Sequence, residues 1–230
     1  MKIIEYKNSN YKIDEIKMTN DAPIKNVMAP LPENYNFFML LISKPGGGKT
    51  TWWLNLINKK AKNTFYKKFD RVYIFSKSLK TISTKIKLDD ERMFNGVDEL
   101  ENIINKIQDT DDKTLIIIDD CISDLKDTDW MMKLIYNRRH QAGGISIIIT
   151  TQVYNKLPLN LRKCASDLVL FSTTNKKEIE SIYDDYINIP KNDWINLCNY
   201  VFKKDNHQVL YYKCDTNLFY HNFTRLLIEL

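Results

Sequence analysis

Nine consecutive residues, Ser43-Lys44-Pro45-Gly46-Gly47-Gly48-Lys49-Thr50-Thr51, carry the groups that hold a polyphosphate. Three adjacent glycines let backbone N–H groups converge on anionic oxygens with no Cβ in the way. A helix opening at Lys49-Thr50-Thr51 adds free N–H donors and a partial positive charge. Lys49 has the length to reach β- and γ-phosphates, and the Thr50 hydroxyl is of the type that ligates Mg²⁺. The spacing fits G-x-x-x-x-G-K-[ST] except at its first position, where Ser43 stands in place of glycine. A glycine-rich turn with a chance lysine is the alternative. It leaves the apolar run before the turn and the helix after it as coincidences.

Two further strand ends supply chemistry that a bound triphosphate needs. Thr114 to Asp120, TLIIIDD, reads as a central strand ending in two aspartates. With this strand beside the phosphate-loop strand, Asp119 belongs to the Mg²⁺ shell and Asp120 orients or deprotonates the attacking water. Gly144 to Gln152, GISIIITTQ, ends in Thr150, Thr151 and Gln152. The carboxyl ends of parallel strands face the ligand crevice, so Gln152 is placed to sense a γ-phosphate or position water. A glutamine capping a loop is the plainer reading. Arg138 and Arg139, followed by His140, end a helix expected from Asp127 to His140. Cations there suit the helix dipole, and two adjacent arginines are also candidates to reach a neighbouring subunit's γ-phosphate. Arg162 follows the Gln152 strand and is expected at the same edge of the sheet.

The elements that must position these groups alternate between strand and helix. Phe37 to Ile42 is apolar without a break, as in a parallel strand covered on both faces. A helix from Thr51 to Lys62 follows, in which Trp52 and Trp53 point about 100° apart, so at least one packs on the sheet. Core packing is the simpler role for both, and a place beside a nucleotide base the alternative. Strands are expected at Phe69–Phe75 and Ser166–Ser172, with a polar turn after the first of these. Helices are expected at Val97–Gln108, Asn175–Tyr186 and Lys191–Phe202. Gln208–Lys213 reads as a late strand, and the tail from Asn217 to Leu230 as a segment docked on the core. Three regions result: an N-terminal arm over 1–36, an ATPase core over 37–190, and a C-terminal helix, strand and tail over 191–230. Pro23, Pro30 and Pro32 make the arm a stiff approach to the first core strand, and YKIDEIKM before them alternates enough to cover a sheet edge.

Composition narrows the class. The 230 residues suit one domain with small additions, and 43% hydrophobic content suffices for a core. A formal charge of +5 permits nucleic-acid binding without requiring it. The four cysteines form no C-x-x-C pair, and three histidines are few partners for zinc. Buried thiols in a reducing compartment are the simplest account of them. No apolar run approaches a membrane span, so a protein without a membrane partner is expected.

Alternation of strands and helices around a phosphate loop on the first core strand predicts a three-layer α/β/α sandwich with a mostly parallel central sheet. The acidic pair followed by a strand ending in glutamine places the chain in the additional-strand division of P-loop NTPases. A kinase lid is not evident, and NKKE from Asn175 to Glu178 does not supply the base reader of a GTPase.

SKPGGGKTT, LIIIDDC, NRRHQAGGISIIITTQ and LPLNLRKCASDLVLF together are similar to the genome-packaging ATPases of large DNA viruses and virophages. These are the poxvirus A32-like proteins of the FtsK/HerA superfamily. The similarity spans roughly Phe37 to Tyr186. It implies an ATP-driven motor that moves double-stranded viral DNA into a capsid without reading its sequence. Lys49 and Thr50 then bind phosphate and Mg²⁺, Asp119 supports the metal, Asp120 is the base and Gln152 the sensor. Arg138, Arg139 or Arg162 would be a finger supplied by the next subunit of a homomeric ring. A capsid or portal component is the implied further partner, and the host cytoplasm, viral factory or virion the implied location. Lysines from Lys77 to Lys87 are candidates for gripping DNA, or simply a solvated loop. Other FtsK/HerA-type translocases, a nucleotide switch and a small-molecule kinase are the competing functions.

Overall fold

The computed structural model describes residues 22–58, 63–86, 92–121, 124–125, 129–140, 143–173, 175–203 and 207–228. Six strands run parallel: β1 (Phe38–Ile42), β2 (Arg71–Ser76), β3 (Met93–Phe94), β4 (Thr114–Asp119), β5 (Ile145–Thr151) and β6 (Asp167–Phe171). Antiparallel β7 (Val209–Lys213), β8 (Leu218–His221) and β9 (Thr224–Leu226) extend the same sheet. The spatial order is β3-β2-β4-β5-β1-β6-β7-β8-β9. The aspartate strand β4 is not the direct neighbour of β1, since β5 lies between them and pairs with both. Chain order cannot reveal such an insertion, since β5 follows β4 in sequence and enters beside it by a crossover.

Side-chain alternation along β1 divides the core in two. Phe38, Leu40 and Ile42 face a layer that includes α3 (Leu100–Ile107), α4 (Asp129–Asn137), α5 (Leu159–Arg162), α6 (Lys176–Tyr186) and α7 (Lys191–Phe202). Phe37, Met39 and Leu41 face α1 (Lys49–Asn58), α2 (Leu79–Ser83) and the arm residues Ile24, Leu31 and Tyr35. With period 2 along the strand, consecutive residues serve opposite layers, which is why this strand has no polar position. The three-layer α/β/α expectation holds. The YKIDEIKM stretch, Lys59 to Lys62, Lys87 and the first two residues of the expected Asp127–His140 helix lie outside the described residues. Among the described residues no helix is long and apolar enough to cross a membrane.

The C-terminal segment is one sheet with the core rather than a cover laid on it. The expected docked tail forms β8 and β9 instead. Asn217 and Asn222 take positive φ of 54° and 56° at the two reversals, a conformation asparagine tolerates better than most residues. At the head of β6, Asp167 is buried and accepts hydrogen bonds from the Tyr211 hydroxyl (2.7 Å) and the Ser166 hydroxyl (2.7 Å). Burial pushes its carboxyl up to about 6, against those two bonds and Lys213. The protonated form is thus favoured by folding. Its contribution is complete below the unfolded value near 4 and is lost as pH rises through about 6. We expect unfolding free energy to fall by about 2–3 kcal/mol across that window from this group. Asp167→Asn should remove that component in urea titrations at pH 4.5 and pH 8. An unchanged pH slope in the variant would contradict it.

Candidate nucleotide-binding site

The turn between β1 and α1 is shaped by its glycines. Gly46 and Gly48 take φ of +74° and +104°, where a side chain would be strained. Gly47 is required for a different reason: a Cβ there would lie 1.8 Å from Ser43 Oγ. Ser43 itself is buried, and its N–H donates to the Thr151 carbonyl (3.1 Å), tying the loop to the end of β5. Its φ is not positive, so serine meets no strain in the place of the pattern's first glycine. Lys49 curls over the loop, with Nζ donating to the Ser43 carbonyl (2.7 Å) and more weakly to Lys44 (3.4 Å). Burial lowers its ammonium pKa from the ordinary lysine value, while Asp120 and Asp119 pull the other way. A cavity of about 260 Å³ opens over the loop from Pro45 to Thr51, closed on the far side by Asp120 and Gln152.

Asp119 is only 1% exposed and is held by four donors. The Thr50 hydroxyl approaches both oxygens (3.3 and 3.2 Å), and the Thr150 hydroxyl (2.9 Å) and Trp53 indole N–H (3.0 Å) reach Oδ1. The Ser76 hydroxyl reaches Oδ2 at 3.3 Å, from the position opposite Asp119 in the β2–β4 register. A carboxylate so supplied stays in place without a metal. The pairing of Thr50 with Asp119 spans the width of β5, which reconciles the inserted strand with a joint role for the two residues. Trp53 therefore packs in the core as expected, but its indole N–H also orients the acidic group.

Asp120 differs sharply from its neighbour. It ends the strand with a φ of +53°, which turns its side chain out of the sheet to line the cavity. Its N–H donates to the Thr150 hydroxyl (3.0 Å), so the same threonine braces both aspartates. Gln152 Nε2 donates to Asp120 Oδ2 at 3.2 Å. Oδ1 is buried, has no hydrogen-bond partner among the described residues and lies 4.0 Å from Lys49 Nζ. A strained backbone and an unsatisfied oxygen beside a glycine cradle fit a site that receives a phosphate, a water and a cation. Mg²⁺ with a nucleoside triphosphate fits these residues: oxygen ligands from Thr50 and Asp119, a lysine, and a loop of N–H donors.

The three arginines do not join this cluster. Arg138 Nε donates to the Asn36 carbonyl (2.7 Å) and Nη1 to Ile135 (2.6 Å), at the amino-terminal ends of the strands. Burial lowers its pKa. Arg139 is exposed beside it. The length of β5 separates both from their own phosphate loop, roughly 20 Å at 3.3 Å per residue. Arg162 lies four residues before Ser166, whose N–H meets the Phe38 carbonyl at the start of β1. Its guanidinium pairs with Asp185 (3.2 Å) and Asn155 (3.0 Å) and lies over the Tyr154 ring.

The profile of the poxvirus A32 protein family matches residues 31–226. The chain belongs to that family. Among solved structures, this A32-family chain is similar to the genome packaging NTPase B204 of Sulfolobus turreted icosahedral virus 2 in complex with sulfate. That match has a TM-score of 0.59 at 15% identity, covering 86% of this chain and 100% of the other. The same protein in complex with ATP-gammaS gives 0.54 at 15% identity, covering 83% and 98%. B204, the DNA-packaging ATPase from Sulfolobus turreted icosahedral virus, gives 0.58 at 16%, covering 84% and 98%. At these identities the likeness is one of fold. No curated protein sequence matches the chain significantly.

In this A32-family chain Ser76 escaped the sequence reading, and Thr150 and Trp53 were read without their bonds to Asp119. The signal for the first two was present. Both are hydroxyls at the carboxyl ends of parallel strands, where polar side chains gather around a ligand.

Proposed function

We propose that this A32-family protein is an ATP-hydrolysing motor that moves double-stranded viral DNA into a capsid during virion assembly. The observation that carries the reading is Asp120. It is a strained carboxylate with one unpartnered oxygen, set between Lys49 and Gln152 and backed by the Asp119–Thr50 pair. A switch that only binds nucleotide has no use for a second, water-directed acid. Family membership and the fold shared with packaging NTPases B204 support the same assignment.

In this reading the loop N–H groups and Lys49 bind the β- and γ-phosphates of ATP. Lys49 leaves its loop carbonyls to do so. Thr50 and Asp119 would hold Mg²⁺, which would supply positive charge to those phosphates. Asp120 takes the proton of the attacking water, and Gln152, already hydrogen-bonded to Asp120, orients that water. Catalysis rests on positioning and charge, since phosphoryl transfer to water needs no covalent intermediate.

The remaining positive charge comes from a neighbour. Of the three arginines, Arg139 is the exposed one, at the edge away from its own loop. Arg139 is therefore the residue we assign as the finger acting in trans, which makes a homomeric ring the working unit. DNA would be gripped through its phosphates without base readout. Lys77 contributes less freely than its sequence suggests, being paired with Asp124 at 2.8 Å. A capsid or portal component is the proposed docking partner, and the viral factory the proposed place of action.

The test is steady-state ATP hydrolysis with and without long double-stranded DNA, across protein concentration and salt. We expect DNA to stimulate hydrolysis, the rate to rise cooperatively with protein, and the stimulation to fade between 50 and 200 mM salt as counterion competition grows. Hydrolysis indifferent to both DNA and concentration would sink the motor reading. Phosphate appearing on a small-molecule acceptor instead of in solution would point to a kinase.

A further inference from the structure

The loop and its acids account for the triphosphate, and the sheet order says where the nucleoside goes. Gln152, Asp120 and Asp119 lie at the carboxyl ends of β5 and β4, on one side of β1. A triphosphate whose terminal group faces them has its other end across β1, over the carboxyl end of β6 and the start of β7.

The structure gathers a tied cluster at that position. A Cβ placed on Gly48 would lie 3.6 Å from both His207 Nδ1 and Phe171 Cε1, so His207 borders the phosphate loop itself. Trp52 is in the first turn of α1, its N–H donating to the Gly48 carbonyl (2.9 Å). Its ring lies nearly parallel to Phe223, with 12° between planes and 6.4 Å between centroids. Phe223 projects from the β8–β9 turn and is 38% exposed. The turn is not loose. Asn222 Oδ1 accepts from the Val209 N–H (3.1 Å), its Nδ2 donates to Gln208 (3.1 Å), and its N–H donates to the Val209 carbonyl (2.7 Å). Phe223 and His207 are thus carried on one hydrogen-bonded unit, locked beside the loop by the C-terminal strands.

We infer that this corner is the nucleoside end of the site. The base packs on the aromatic face offered by Phe223 and Trp52, and the His207 imidazole borders the ribose and α-phosphate. The inference rests on the ATP reading above. It gives the C-terminal strands a function, because they supply the half of the nucleotide site that the phosphate loop lacks.

The test compares Mg-ATP with Mg-tripolyphosphate, which presents the same phosphates without a nucleoside. Binding of each is measured by calorimetry to the full chain and to Phe223→Ala, Phe223→Leu, His207→Ala and Lys49→Ala. Phe223→Ala should weaken ATP roughly 5–150-fold, the range of one lost base–aromatic stack. It should leave tripolyphosphate unchanged. Phe223→Leu, which keeps apolar packing in the turn, should still lose part of the ATP affinity. Lys49→Ala should weaken both ligands. If Lys49→Ala weakens both while the Phe223 and His207 variants bind ATP like the parent, the nucleoside end lies elsewhere and the inference is overturned. Equal weakening of both ligands by Phe223→Ala would overturn it too, as a distortion of the loop. If Lys49→Ala changes neither ligand, the ATP reading beneath it fails.

Discussion

Asp120→Asn is expected to leave ATP binding intact and to lower turnover by about 10²–10⁴-fold, the usual contribution of a positioned general base. The substitution isolates the proton-accepting role. Asparagine is among the residues that best tolerate positive φ, so the +53° backbone at this position is kept. The side chain has the same shape, and its carbonyl oxygen can still accept from Gln152. The N–H to Thr150 is a backbone contact and is untouched. What disappears is the charge and basicity of the oxygen that lies buried and unpartnered 4.0 Å from Lys49. Binding by calorimetry and phosphate release at saturating ATP would separate the two effects. Near-parental release would remove Asp120 from the role of base. A matching loss of binding would mean that its charge serves to hold Lys49 instead.

The sequence reading succeeded wherever the chemistry is local. A glycine run, a lysine and a threonine within nine residues fix the phosphate loop by themselves, because strand, turn and helix are contiguous. Two aspartates at a strand end, and a glutamine at another, were readable for the same reason. What converges from afar was not. The four donors to Asp119 come from α1, β2 and β5, and only the lateral order of strands brings them together. The place of β5 between β1 and β4 was left open, because pairing of parallel strands leaves no mark on either strand alone. The tail was read as a docked segment because β8 and β9 are short, and their turns use asparagines rather than glycines.

Arg139→Ala should depress hydrolysis by the assembled protein about 10³–10⁵-fold while leaving ATP binding by each subunit near the parental value. The assignment follows from exposure and position among three cations. A residue that acts on a neighbour must be at the surface, and Arg139 is the exposed one of the three. Arg138 spends two nitrogens on backbone carbonyls of Asn36 and Ile135, and its truncation should cost stability before it costs chemistry. Arg162 is ion-paired to Asp185 and stacked on Tyr154, again within its own subunit. Arg139 lies next to Arg138, on the exposed side, and a strand's length from its own loop, so it has no route to its own ATP. Loss of rate alone would not prove action in trans, but mixing does. Lys49→Ala subunits cannot bind nucleotide yet carry an intact Arg139, and Arg139→Ala subunits have an intact loop. Neither alone should hydrolyse ATP. A mixture should recover part of the parental rate, because some interfaces pair a competent loop with a competent arginine. Recovery that peaks near equal mixing would establish the shared site. No recovery, with mixed assembly verified by a tag on one partner, would move the finger elsewhere, and Arg162→Ala in the same mixing design would then be the next variant to compare.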